Sequence, residues 1–265
     1  MTELLHADLT YKLRGIAFHI HNELRGGHAE CVYETALAYA LEDAAIPFQQ
    51  QPVYRVTYRE QQVGEYRPDL MLSDNALLVE LKATPVIEAL HKAQTISYLA
   101  VTQADLGLIM NFGASSMQFE RIPNFLGQRQ MEENLAPAPV SDDLLYPELS
   151  NRVLDALFHV HRILGAGFLH QVYRRATRIE LAHRYIGCTY LKELPLRYNR
   201  RLIAMKPTRL FHIEHKMLLA TVALKTITST ETERLRWAMN MTHARLGLIA
   251  NFHGTRLELR FLRNP

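Results

Sequence analysis

Asp69 follows a proline, and Glu80-Leu81-Lys82 comes eleven residues later. Between them, Leu70-Met71-Leu72 and Ala76-Leu77-Leu78-Val79 read as two short apolar strands, and Ser73-Asp74-Asn75 is turn chemistry. A hairpin joined in this way brings Asp69 and Glu80 together at one end of a sheet. Glu80 and Lys82 are two residues apart in a strand, so both side chains leave on one face. Two close carboxylates repel each other unless a hard cation lies between them, and Mg²⁺ prefers oxygen ligands of this kind. A lysine beside them can orient or help deprotonate a metal-bound water, or stabilise charge on a phosphate. The plain alternative makes Asp69 a turn residue after Pro68, and Glu80 and Lys82 a solvated strand face. Against it, Leu78-Val79-Glu80-Leu81-Lys82 alternates into an apolar neighbourhood where unpaired charge is costly.

These residues need elements to hold them. Apolar positions Leu13, Ile16, Ala17, Ile20 and Leu24 have helical spacing over 9–24, and Arg25-Gly26-Gly27 ends that helix. A second helix is expected over 29–45, with Glu30, Tyr33 and Glu34 on neighbouring faces at i, i+3 and i+4. A hairpin over 53–58 and 62–66 turns at Arg59-Glu60-Gln61. After the two motif strands, a helix over 86–101 carries Gln94 and Tyr98 on one face. A buried strand at 106–111 and an edge strand at 117–122 complete the order α-α-β-β-β-β-α-β-β.

Asp69 with Glu80-Leu81-Lys82 resembles the PD-(D/E)xK motif of the restriction-endonuclease-like nuclease superfamily. Gly27-His28-Ala29-Glu30-Cys31-Val32-Tyr33 matches GxxExxY, the signature of one bacterial family within it. Gln94-Thr95-Ile96-Ser97-Tyr98 resembles the QxxxY motif of the RecB-like branch. The resemblance covers residues 10–122, and a faded copy covers most of the rest. It implies an α/β fold, with two tandem restriction-endonuclease-like domains, each a mixed β-sheet flanked by helices. It also implies a nuclease that hydrolyses phosphodiester bonds with Mg²⁺ or Mn²⁺, DNA being favoured over RNA. Asp69, Glu80, the Leu81 carbonyl and Glu30 are the implied metal ligands. Glu30 can equally be a helix N-terminal acid favoured by the dipole. Lys82 would position water and balance developing charge. Gln94 would bond a phosphate or a metal water, Tyr98 would orient Lys82 or pack, and Tyr33 is divided between core and catalysis.

Internal repetition splits the chain. Phe18-His19-Ile20-His21 recurs as Phe158-His159-Val160-His161, and Gly27 and Val32-Tyr33 as Gly167 and Val172-Tyr173. Leu106–Phe112 recurs as Leu246–Phe252, always 140 residues on. The expected domains are 1–127 and 143–265, joined by a polar linker over 128–142 with two close prolines. The second copy is expected to have lost the chemistry. Counting back from Lys225 as the partner of Lys82 puts His212 in the place of Asp69 and Ala223 in that of Glu80. Glu30 becomes His170, Gln94 becomes Arg234 and Tyr98 becomes Ala238. The HxH pairs place two imidazoles about 200° apart on a helix, which suits one metal poorly. A structural or surface role is the better expectation for them.

The chain of 265 residues is 48% hydrophobic and 22% charged, an ordinary globular composition. No apolar run reaches the roughly 20 residues of a membrane helix, and no leader pattern is visible at the N-terminus. Cys31 and Cys188 read as reduced thiols of a cytoplasmic protein. The net charge of +3 hides an asymmetry. Residues 1–135 carry 10 Lys and Arg against 17 Asp and Glu, net −7, and residues 136–265 carry 20 against 10, net +10. A basic half suits nucleic acid, although opposite charges could instead serve to hold two halves together. Arg174, Arg175, Arg178, Arg200 and Arg201, with Arg197 and Arg209, are the expected phosphate contacts, independent of base sequence. A protein partner or a homo-oligomer is left open. The competing function is a non-catalytic nucleic-acid-binding or assembly component on a nuclease scaffold.

Overall fold

The structure is a computed structural model, described here for residues 5–125 and 139–264. Most of the expected linker lies outside the described residues. The first repeat runs α1 (Ala7–Leu24), α2 (Glu30–Asp43), β1 (Phe48–Gln50), β2 (Tyr54–Tyr58), β3 (Gln61–Tyr66), β4 (Leu70–Leu72), β5 (Leu77–Lys82), α3 (Ala89–Thr102), β6 (Leu106–Asn111) and β7 (Gln118–Pro123). The second runs α4 (Pro147–Leu164), α5 (His170–His183), β8 (Cys188–Tyr198), β9 (Arg201–Ile213), β10 (Met217–Val222), α6 (Ser229–Thr242), β11 (Leu246–Asn251) and β12 (Glu258–Arg263). Two tandem α/β domains of mixed sheet and flanking helices result, as the motifs imply. Two compact units are formed, and the hairpin segment Thr57–Val63 belongs to the second of them.

The first sheet has the order β1-β4-β5-β6-β7. Strands β5 and β6 run parallel, Leu77 beside Leu106 and Lys82 beside Asn111, and α3 makes the crossover between them. Their neighbours are antiparallel. Helices cover both faces of these central strands, so LLVELK and LGLIMN are buried throughout and lack polar alternation. The core gathers Leu13, Ala17, Ile20, Tyr33, Leu37 and Leu41 from α1 and α2 against Leu70, Leu77, Val79, Leu81, Leu108 and Met110 from the sheet.

The second sheet, β12-β11-β10-β9-β8, repeats this layout with longer strands. Cys188–Tyr190 pairs with Phe211–Ile213 as Phe48–Gln50 pairs with Leu70–Leu72. In the first repeat the ladder breaks at Gln51-Pro52, where Gln51 has φ 47, and again at Pro68. Proline cannot donate to a ladder, so the strands divide there. In the second repeat the strands stay continuous, so β8 and β9 form one long hairpin. It turns at Asn199-Arg200, both with positive φ, the signature of a tight two-residue turn.

The observed register overturns the expectation built on Lys225. Met217 pairs with Leu246 as Leu77 pairs with Leu106, a uniform offset of 140 in these strands. Asn251 caps Leu224 as Asn111 caps Thr84, which fixes the same offset past the strand end. Ala220 therefore stands in the place of Glu80 and Val222 in that of Lys82. Lys225 lies beyond the strand and is exposed. The turn before β10 is one residue shorter, so Leu210, rather than His212, falls in the place of Asp69. The repeated LGLI strand and its ladder fix the correspondence, and the matching lysine does not.

Candidate active site

The site forms where β5 ends. Pro68 breaks the ladder just before β4, and Asp69 Oδ2 accepts a 2.6 Å hydrogen bond from Leu81 N. Glu80, 1% exposed, and Lys82, 8% exposed, leave the same face of β5, as their spacing requires. Lys82 Nζ lies 2.7 Å from Glu80 Oε1 and 3.6 Å from Glu30 Oε1, and donates to the Leu81 carbonyl at 2.6 Å. Glu30 opens α2, so the helix N-terminus and the site share that carboxylate. Both expected roles of Glu30 are thus compatible with one position.

Burial sets the electrostatics. It raises the Asp69 carboxyl to about 6, against the Leu81 amide and Lys82, which favour the charged form. It raises Glu80 further, to about 8, and the charge of Asp69 adds to the effect while Lys82 opposes it. Burial alone would lower the Lys82 ammonium, but Glu80, Glu30 and Asp69 outweigh it and leave its pKa raised. The second oxygen of Glu80, Oε2, is buried with no hydrogen-bond partner among the described residues. An orphaned carboxylate oxygen facing two further acids is the donor chemistry a hard divalent cation fits. Among the described residues no three His, Cys, Asp or Glu side chains stand close enough together to hold a metal ion as they are placed, and the Lys82 ammonium lies among the acids.

Gln94 and Tyr98 meet on α3, where Gln94 Nε2 donates to the Tyr98 hydroxyl at 2.8 Å. Burial and the charges of Glu80 and Asp69 raise the Tyr98 phenol, so it stays protonated at neutral pH, beside the acids. Its hydrogen-bond partner is Gln94, and its ring meets Tyr66 edge-on at 5.8 Å. A fourth acid belongs here, one that the sequence places beside Glu30 without giving it a role. Glu34, one turn after Glu30, is 7% exposed, accepts from Gln50 and Gln51, and adds to the upward shift of Asp69. Its i+4 relation to Glu30 was the available signal.

Tyr33 resolves to the core. It is fully buried, stacks on Phe112 at 4.7 Å, and donates to the Arg25 carbonyl at 2.7 Å. Tyr173 does the same with Phe252 and Gly165. Gly27 and Gly167 have φ of 101 and 109, which only glycine adopts readily. The glycine and tyrosine of the signature thus shape the loop before the helix, which explains their presence in both copies. Tyr33→Phe is expected to cost about 1 kcal/mol, read as a lower melting temperature, and to leave any cleavage within about threefold. A loss of a hundredfold with the fold intact would instead make Tyr33 catalytic.

One histidine of each pair is structural, while His19 lies on the surface. His21 bonds the Ala114 carbonyl and His161 the Gly254 carbonyl. Of the expected phosphate contacts, Arg200 sits in the β8–β9 turn with Arg201 beside it. Of the others, Arg197 donates to the Arg200 carbonyl, Arg174 and Arg209 line a cavity with His170, Arg175 donates to the Val63 carbonyl, and Arg178 lines a separate recess with Arg59.

A family model described as the PD-(D/E)XK nuclease superfamily matches residues 7–122 and again 147–263. The chain belongs to the PD-(D/E)XK nuclease superfamily. No curated protein matches it. Among solved structures, one described as the crystal structure of SSO0001 aligns at 15% identity and a TM-score of 0.30, over 36% of this chain and 50% of that one. The chain thus spans half the length of that relative. The match spans both repeats, so both are built on the fold of that superfamily. No helix among the described residues is long and apolar enough to cross a membrane.

Proposed function

We propose that the first repeat is a divalent-metal-dependent nuclease of the GxxExxY type, cutting DNA in preference to RNA, and that the second repeat binds nucleic acid without cutting it. The domains would be 1–127 and 143–265. The observation that carries this reading is the meeting of Glu30, Asp69, Glu80 and Lys82 at one strand end, with Glu80 buried and half-unsatisfied. Superfamily members generally use divalent metals. Asp69, Glu80, the Leu81 carbonyl and Glu30 would hold Mg²⁺ or Mn²⁺. When bound, the ion supplies charge neutralisation at the scissile phosphate and a more acidic water. Asp69 is fixed for this by the Leu81 amide, and Glu34 reinforces the negative field. Lys82, seated by Glu80 and the Leu81 carbonyl, presents positive charge to the phosphate and a donor to the attacking water. Tyr98, its oxygen already accepting from Gln94, has its own proton free to donate to a phosphate oxygen.

The second repeat has none of these groups. Leu210, Ala220 and Val222 hold the places of Asp69, Glu80 and Lys82, so no comparable ligand set exists there. The test is incubation of the full chain with plasmid, single-stranded DNA and RNA, each with Mg²⁺, Mn²⁺ or EDTA. Cleavage with metal and none with EDTA is expected, strongest on DNA. The non-catalytic reading has one observation in its favour, the Lys82 ammonium that already neutralises the acids. It prevails if calorimetry detects no Mg²⁺ or Mn²⁺ binding even with nucleic acid present.

A further inference from the structure

The offset of 140 exposes a pattern of substitution beyond loss. Where the first repeat has Glu30, Glu34 and Gln94, the second has His170, Arg174 and Arg234. Arg209 stands next to Leu210, in the place of Asp69. These residues line a cavity of about 520 Å³ beside β9, β10 and α6, within the range of small-molecule sites. Lys206 and Trp237 complete the wall, the ammonium 4.5 Å from the indole centroid. The floor is apolar, with Leu210, Val222 and Ile249. The one acid present, Glu231, is engaged by Thr228 at the start of α6 and faces Arg234 at 4.0 Å. Among the described residues no carboxylate pairs with Arg174, Arg209 or Lys206.

The cations are therefore gathered without counter-ions. Burial lowers the Arg174 guanidinium, and Arg209 and Arg175 lower it further, against the influence of Tyr190. Burial with Arg174 and Arg209 holds the His170 imidazole down. Arg174 is half-buried while Arg209 and Lys206 are exposed, and an entering anion relieves the repulsion among these like charges. Apolar floor, indole and guanidinium rim together match a planar base carrying a phosphate.

We propose that this cavity binds a nucleoside phosphate, the inverted-charge remnant of the lost active site. The phosphate sits on Arg174, Arg209 and Lys206, and the base lies over the apolar floor beside Trp237. This goes beyond the nuclease reading and stands whether or not the first repeat cleaves. The nucleotide can be free or the phosphorylated end of a strand.

Trp237 is the only tryptophan in the chain, so fluorescence excited at the red edge, where indole absorbs and tyrosine does not, reports on this cavity. Titrations use the full chain in EDTA, with AMP, inorganic phosphate, a 5′-phosphorylated oligonucleotide and its 5′-hydroxyl counterpart. A saturable change with AMP, weaker with inorganic phosphate, is expected. Response to the phosphorylated oligonucleotide but not the hydroxyl one assigns strand ends as well, and response to AMP alone assigns free nucleotide. Arg174→Gln should weaken AMP at least about tenfold, and Arg234→Ala, at an exposed position, gives a second reading should the first variant fold poorly. No saturable response, equal affinity for phosphate and AMP, or unchanged affinity in both variants overturns the proposal. Since metal is absent, a failed cleavage assay leaves this result untouched.

Discussion

Glu80→Gln is expected to lower cleavage by on the order of 10³-fold or more, and at the same time to stabilise the metal-free protein near pH 8. The first effect follows from removing a ligand charge and one anchor of Lys82 Nζ at 2.7 Å. The second follows from linkage. The folded pKa of Glu80 is raised to about 8 from an ordinary 4.5. Below pH 4.5 both folded and unfolded chains hold the proton, and burial has no titration cost. As pH rises, the unfolded chain ionises while the fold resists, so stability is lost until about pH 8 and no further. Glutamine has no proton to lose and escapes that penalty. A gain of about 1–2 kcal/mol, after discounting the attraction of Lys82, is about 2–8 °C for a domain of this size. Melting curves at pH 4.5 and pH 8 in EDTA check the sign. Variant and wild type should coincide at the lower pH and separate at the higher. Saturating Mg²⁺ should then raise only the wild type, because only it binds. A variant less stable at both values of pH would mean that Glu80 is held as a net favourable ion pair with Lys82, and that the strained-site account is wrong.

Much of this arrangement could be read in the chain, and the reasons are physical. The pairing of Asp69 with Glu80, and the shared face of Glu80 and Lys82, follow from period two and a short turn. Strands LLVELK and LGLIMN are bounded by turn signals and sit where the apolar runs place them. Helix ends fell within three residues of expectation because glycines and caps mark them. The short β1 strand was not legible: FQQ has no apolar pattern, and only its partner Leu70–Leu72 makes it a strand. The fusion of strands into the β8–β9 hairpin was also hidden, since it depends on pairing across the sheet. The i+4 spacing put Glu34 near Glu30, but nothing in one helix tells that this face will meet a strand end, so its part in the site was hidden. The second repeat's register failed for a related reason. One identical lysine is weaker information than a ladder of six paired residues, and the ladder is visible only in three dimensions.

A last consequence concerns Glu180, which has no chemical motif around it and which spacing could not have found. In the second unit its carboxylate is fully buried and receives Tyr58 at 2.7 Å, Arg59 Nε at 2.6 Å and Arg184 Nε at 2.7 Å, with His159 Nδ1 3.6 Å away. Burial alone would raise its pKa, but the bonds from Arg59, Arg184 and Tyr58 prevail and hold it down to about 2. Removing one partner of a buried charge cluster leaves the others uncompensated, at about 3–5 kcal/mol. Glu180→Ala should therefore lower the melting temperature by on the order of 10 °C, more than any surface charge in the basic half. The effect must also carry a pH signature. A depressed carboxylate contributes its stability in full above the unfolded value of 4.5 and loses it as pH falls towards 2. Urea midpoints of wild type and Glu180→Gln should differ widely at pH 6 and draw closer towards pH 3, as the unfolded chain takes up a proton that the folded cluster still refuses. The thermal loss in Glu180→Ala should be matched at neutral pH by Arg184→Ala only in part, because Arg59 and Tyr58 still hold the carboxylate. A gap between wild type and Glu180→Gln that stayed constant from pH 6 to pH 3 would show that packing, rather than charge, is what Glu180 supplies.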